Sequence, residues 1–361
     1  MNAKDERMLW IRNIDALESA TGSYLLEAEF ASEVLIPGHL EYAGGDIVCG
    51  PITTFADSRG LFKYVLRMRM PTYERMRDEP RPEATKGGYV FRPGPVGELL
   101  SLISLRLQVR TFLLSTSERF SANGLPLKTE FEPARRQFGP KIDPIVFGES
   151  ERNFVTHIGP FLDRVKQLPP LRHHRLAVAA YHYARALREI GIDEEMVFVR
   201  LVSAVEKLSH DHPLQNDPLG GLGLDQLFRT ESLAPQLVEE FAKLLNTRKA
   251  RARFVALIVE NGAAFLEGQP TEPPHTQVTV SKLPSTANAI YNARSAYLHA
   301  GDPMYLSRYI PDFPDWHMDP SVGMRMQDRR YTERQKLPRA DFFHGLVRHC
   351  ILGYFGMLEA G

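Results

Sequence analysis

One change of rhythm constrains this chain more than any other feature. Residues 61–70, LFKYVLRMRM, alternate: Phe62, Tyr64, Leu66, Met68 and Met70 take turns with Lys63, Val65, Arg67 and Arg69. Successive side chains of an extended strand point to opposite faces, so this run reads as a half-buried strand with one charged face. Beyond about residue 150 nearly everything reads as helix instead, with apolar residues returning every three or four positions. A chain that changes period in this way is expected to be α+β, with a mixed domain followed by an all-helical one.

The change falls in a stretch suited to it. Residues 133–151 hold three prolines and two glycines without helical periodicity, which reads as a linker. The expected domains are therefore 1–148, mixed strand and helix, and 149–361, a helical bundle. In the first, residues 25–33 and 126–133 are weaker strand candidates, and Pro95 opens a short helix. In the second, helices are expected near 152–168, 171–190, 193–209, 232–246, 248–266, 284–300 and 339–359. The stretch 302–338 is long and irregular. A length of 361 residues accommodates two domains, and 43% hydrophobic residues is enough to give each a core.

Charge and cysteine content narrow the function. Lys plus Arg and Asp plus Glu both total 44, which excludes a general nucleic-acid coat but leaves room for a local site. Cys49 and Cys350 are far apart in the chain, so a disulfide framework is not expected and a reducing compartment fits. The opening residues carry no apolar core of a signal peptide, and no run reaches the roughly 18 apolar residues of a membrane span. A cytoplasmic protein without membrane contact is the expectation.

Most familiar chemistry-bearing motifs are absent, including GxxxxGK[ST], HExxH, GxSxG and paired CxxC. Gly220, Gly221 and Gly223 follow no strand, which weakens phosphate cradling there. His173, His174 and His182, and the run His210-Asp211-His212, lack a thiolate or an i, i+4 partner, so no metal is expected. Lys63, Arg67 and Arg69 read as a solvated sheet face. Arg248, Lys249, Arg251 and Arg253 read as a solvated helix end.

What remains is an Arg-x4-His spacing. It occurs as Arg152/His157, Arg294/His299 and Arg339/His344, against about one pair expected by chance. Context separates them. In the helix expected over 284–300, Ile290, Arg294 and Leu298 share an apolar stripe, flanked by Tyr291 and Tyr297. Asn288, Asn292, Ser295 and His299 form a wholly polar stripe beside it. A guanidinium on a core-facing stripe needs a partner. Glu206 supplies one, because Phe198, Val202 and Glu206 share a stripe of another helix. A bidentate Arg294–Glu206 pair across a helix interface is expected. His299, near a helix C-terminus, is placed where the helix dipole favours its charged form. A held arginine and a titrating imidazole suit phosphodiester chemistry. The same residues also suit a plainer role, with Arg294–Glu206 a structural pair and His299 a cap on helix carbonyls.

Two pieces carry a family resemblance. VRLVSAVEKLSHD, 199–211, with Glu206, and YNARSAYLHAG, 291–301, with Arg294 and His299, resemble the helices of a HEPN domain (higher eukaryotes and prokaryotes nucleotide-binding) of the ApeA-like subgroup. Residues 94–112 also resemble a segment found upstream of that domain. The resemblance implies an all-helical, often dimeric module in which two Arg-x4-6-His motifs form one composite ribonuclease site without metal or organic cofactor. It implies catalytic roles for Arg294 and His299, with Glu206 orienting the arginine and Ser295, Asn292 and Tyr291 beside the substrate. RNA or a nucleotide and a second copy of the chain are the implied partners, and a toxin or antiviral effector the implied setting. Many active members carry Asn, Asp or His after the arginine, where this chain has Ser295. A non-catalytic module that dimerises and binds nucleotide, RNA or protein is the alternative.

Overall fold

The computed structural model describes residues 6–20, 22–72, 94–119, 154–210, 212–213, 235–267, 277–304, 325–326, 329–330 and 337–358. The chain divides into two compact units, Met1–Arg188 and Glu189–Gly361.

The first unit is built on an antiparallel sheet of five strands in the order β2-β3-β4-β1-β5. The strands are β1 (Gly22–Ser32), β2 (Leu40–Tyr42), β3 (Ile47–Pro51), β4 (Phe62–Thr72) and β5 (Phe112–Arg119). The alternating run is β4, where Tyr64, Leu66 and Met68 are buried while Arg67 and Arg69 are exposed. Both arginines of the run Lys63, Arg67 and Arg69 meet carboxylates. Glu27 lies opposite Arg67 on β1 and accepts from its Nε at 2.6 Å. Asp46, just before β3, pairs with Arg69 at 3.3 Å. The weaker strand expected at 25–33 is β1, and the one at 126–133 lies outside the described residues. β2, β3 and β5 carry no clear alternation, so periodicity does not announce them.

Helix α1 (Leu9–Leu17) buries Trp10, Ile11 and Ile14 and packs against β4. It has no side-chain cap of its own. Glu98 of helix α2 (Pro95–Leu107) supplies one, accepting the backbone N–H of Leu9 at 2.6 Å and of Trp10 at 3.3 Å. A carboxylate only 1% exposed is tolerable there because it satisfies open helix donors at the positive end of a dipole. Pro95 starts α2 as its fixed φ allows, and Gln108, at φ 53°, ends it.

Tyr64 ties the sheet to later segments of the chain. Its hydroxyl accepts from the Ile36 N–H at 2.7 Å and donates to the Val34 carbonyl at 2.9 Å. Its ring meets Phe30, stacked at 5.0 Å, and the edge of Phe154 at 5.7 Å. The Phe154 N–H donates to the Pro37 carbonyl at 3.1 Å. Residues after the expected linker are thus fastened to the sheet, and the linker 133–151 itself lies outside the described residues. The divide between units falls at Arg188/Glu189 instead of 148/149. The helix expected over 152–168 is a π-helical turn, Phe154–Ile158, followed by α3 (Gly159–Lys166). Pro160 lacks the N–H that would continue one helix through both, so a new helix starts there. Helix α4 (Pro170–Glu189) closes the unit.

The second unit is helical at its core, with α5 (Glu194–Ser209), α6 (Pro235–Glu267), α7 (Leu283–Ala300) and α8 (Ala340–Tyr354). α5 and α6 touch one another, and each touches both α7 and α8. Phe198 stacks on Phe343 at 5.0 Å at the centre. Asp193 caps α5 by accepting from the Met196 N–H at 2.9 Å. Two helices were expected over 232–266, but α6 is continuous because Asn246 and Thr247 contain neither proline nor glycine to break it. Gly301, at φ 71°, ends α7 in the left-handed conformation that glycine accepts without strain. Of the irregular stretch 302–338, the described part includes a two-residue pairing of β6 (Arg325–Met326) with β7 (Arg329–Arg330). Among the described residues, no helix is long and apolar enough to cross a membrane.

Candidate functional site

The expected partner of Arg294 is the one it has. Nη2 of Arg294 on α7 lies 2.8 Å from Oε2 of Glu206 on α5. The pair differs from expectation in two respects. It is half-buried, with side chains 18% and 25% exposed, and it rests on one contact instead of a bidentate fork. The Nε of Arg294 is itself buried and has no hydrogen-bond partner among the described residues. The cause is the course of α7. Ile290 and Tyr291 are buried, but beyond Arg294 the helix leaves the core, and Leu298, expected on the apolar stripe, is 46% exposed.

Tyr291 completes a cluster around the carboxylate. Its hydroxyl lies close enough to Glu206 to interact with it, and its ring lies 5.4 Å from Phe254 of α6. Burial pushes the Tyr291 pKa up, the Glu206 charge and hydrogen bond push it further, and Arg294 and Arg251 pull it back. The hydroxyl therefore stays protonated at neutral pH, a neutral group with a proton to share with Glu206. Asn292, exposed on the next position, accepts from Nη1 of Arg251 at 3.4 Å. Asn288 is held within α7 by donating to the Pro284 carbonyl at 2.9 Å. Ser295 is half-buried and His299 exposed; neither joins the Glu206 cluster by a hydrogen bond among the described residues. The structure thus brings together Arg294, Glu206 and Tyr291, sets Asn292 against Arg251, and leaves His299 at the surface of the last turn.

The other two Arg-x4-His pairs have different surroundings. Arg339 grips Asp341 bidentately, Nε to Oδ1 at 3.1 Å and Nη2 to Oδ2 at 3.0 Å, and His344 is 3% exposed. Arg152 lies outside the described residues, and His157 Nδ1 meets the hydroxyl of its neighbour Thr156 at 2.9 Å. Two of the other histidines singled out have structural partners. His173 donates from Nε2 to the Val165 carbonyl at 2.8 Å, and His212 meets Glu260 at 3.0 Å. Cys49 and Cys350 are free, buried thiols whose pKa values burial pushes up. A cleft of about 530 Å³ in the first unit is lined by Asp46, Arg69 and Lys166 among others. Its cations already face carboxylates, Asp46 for Arg69 and Asp15 for Lys166.

The residue that sequence reasoning undervalued is Arg251. It stands in the basic run read as a solvated helix end, yet lies one turn before Phe254, on the side of α6 that faces Tyr291 and Asn292. No family model matches the chain, and neither a curated protein nor a solved structure matches it.

Proposed function

We propose that this chain is a metal-independent endoribonuclease of HEPN type, ApeA-like, acting as a homodimer in which two copies each bring Arg294 and His299 to one cleft. The observation that carries the reading is the state of Arg294. Glu206 anchors one end of its guanidinium at 2.8 Å, and the side chain as a whole stays 18% exposed. A cation held at one end and still partly open to solvent suits a charge that grows during reaction. In the reaction, the RNA 2′-hydroxyl attacks the adjacent phosphorus and gives its proton to a base. The P–O5′ bond breaks, the leaving oxygen takes a proton, and a 2′,3′-cyclic phosphate remains. His299 moves the proton as general base or acid, and Arg294 stabilises the phosphorane charge. Ser295, Asn292 and Tyr291 border the substrate. A cytoplasmic toxin or antiviral effector is the role such an activity serves.

A second reading, a non-catalytic module that dimerises and binds RNA, nucleotide or protein, draws on one observation. His299 is exposed, and among the described residues no hydrogen bond orients its ring. Cleavage of structured and unstructured RNA in EDTA separates the two. The expected result is activity that survives chelation and falls by about 10²–10⁴-fold in His299→Ala, with folding intact. His157→Ala should remain active. Activity retained by His299→Ala would overturn the assignment, and RNA binding without cleavage by the wild type would favour the module.

A further inference from the structure

We propose that Arg251 of α6 is the second cation of the Arg294 site, and that Arg251 and Arg294 together receive the phosphodiester backbone of a single RNA strand running along the α6 side of α7. The inference rests on the reading of that site as an RNA site.

The charge balance points there. Glu206 is the carboxylate bound to Arg294, and Tyr291 beside it is a neutral hydroxyl. Arg251 approaches the same group closely enough to pull the Tyr291 pKa down. Glu206 pairs with Arg294, and no carboxylate among the described residues forms an ion pair with Arg251, whose hydrogen bond goes to Asn292. That hydrogen bond does not consume the charge of the guanidinium. It goes to the neutral amide oxygen of exposed Asn292, and at 3.4 Å it is long. A phosphate oxygen is a stronger acceptor for a guanidinium than an amide oxygen and can displace it.

Arg253, two residues on, shows the contrast. Its Nη1 donates to the carbonyl of His210 at 2.7 Å, at the negative end of α5. That arginine holds α6 to α5; the hydrogen bond of Arg251 reaches no charged group. The opposite flank carries acid: Glu195 of α5 accepts from the Met304 N–H at 2.7 Å, just beyond the end of α7. Tyr297, on α7, feels Glu195 and Asp193 from the start of α5, and after burial both raise its pKa. Acids on that flank repel a polyanion, and the α6 flank attracts it. Arg251 and Asn292 are both exposed, so the surface is open along its length and suits an extended strand.

The test uses the full-length chain and a fluorescent single-stranded oligoribonucleotide, with anisotropy read over a range of salt. In the His299→Ala background the strand stays intact during the measurement. Arg251→Gln should weaken binding about tenfold, the scale of one charge-assisted hydrogen bond. It should also lower the slope of log affinity against log salt by roughly 0.7, the signature of one lost phosphate contact on a single strand. Arg251→Lys should keep most of the slope, and Arg253→Gln should keep all of it. Unfolding curves for each variant separate a binding loss from a folding loss. Binding by the wild type with an unchanged slope in Arg251→Gln would overturn the second cation and leave the RNA reading standing. No binding of the oligonucleotide by any form would overturn both. Inorganic phosphate or a mononucleotide competing as well as the strand, phosphate for phosphate, would overturn the backbone track in favour of a single-phosphate site.

Discussion

Arg294-x4-His299 and Arg339-x4-His344 are the same letters in opposite surroundings. Arg339 sits at the mouth of α8, 5% exposed, and grips Asp341 through two parallel bonds. Its histidine is buried. Arg294 sits where α7 leaves the core, 18% exposed, and touches Glu206 through one nitrogen. Its histidine is open to solvent. The first arginine has its geometry filled, and the second is held at one nitrogen with its side chain still partly open to water. Spacing places two side chains on a helix, and burial decides whether they bind the protein or something else.

The largest expected effect tests the closed member of this comparison. Arg339→Ala leaves Asp341 buried, with the Phe342 N–H as a remaining donor at 3.0 Å. Burial already pushes the Asp341 pKa up, and the Arg339 charge is what pulls it back down. Removing that charge should cost about 3–5 kcal/mol, as for other broken buried pairs. Urea unfolding at neutral pH measures it. A loss under about 1 kcal/mol would mean that the carboxyl accepts a proton or reaches water at little cost, and the pair would no longer count as closed.

Glu206→Ala tests the open member and should cost less, about 1–2 kcal/mol, because water reaches both side chains. Full burial of the pair, as the stripe pattern implied, would have raised that figure to the level of Arg339→Ala. Equal losses in the two variants would erase the distinction between the open and the closed pair, and no loss for Glu206→Ala would mean that the pair does not form in solution.

That gap between stripe and burial shows what the sequence could and could not tell. The period-two run is β4, and Glu206 is the partner of Arg294 that the stripes indicate, because both depend on which residues share a face. The depth of a face is another matter. Leu298 lies on the same stripe as Ile290, yet Ile290 is 1% exposed and Leu298 46%, because a stripe says which residues share a face and not how far the covering side chains reach along it. The Glu98 cap on α1 was illegible for a related reason. It joins residues 89 positions apart, and no local pattern encodes such a contact. Arg251 fell between these cases. Its place in a basic run was plain, but the facing of Phe254 onto Tyr291, which aims α6 at the site, required the packing of α6 on α7.

The smallest expected effect asks whether the open pair is a cluster of three. Tyr291→Phe keeps the ring against Phe254 and removes the hydroxyl beside Glu206. One hydrogen bond to a partly exposed carboxylate is worth about 0.5–1.5 kcal/mol. The single variant alone is ambiguous, because a buried hydroxyl also carries a desolvation cost that its removal relieves. A double-mutant cycle with Glu206→Ala isolates the contact. The expected coupling is about 0.5–1 kcal/mol, favourable in the wild type. A coupling near zero would separate the tyrosine from the carboxylate and leave Arg294 as the only side chain that Glu206 organises. A coupling as large as the whole Glu206→Ala loss would instead make Tyr291 the principal partner, with Arg294 held only loosely and freer to turn toward a phosphate.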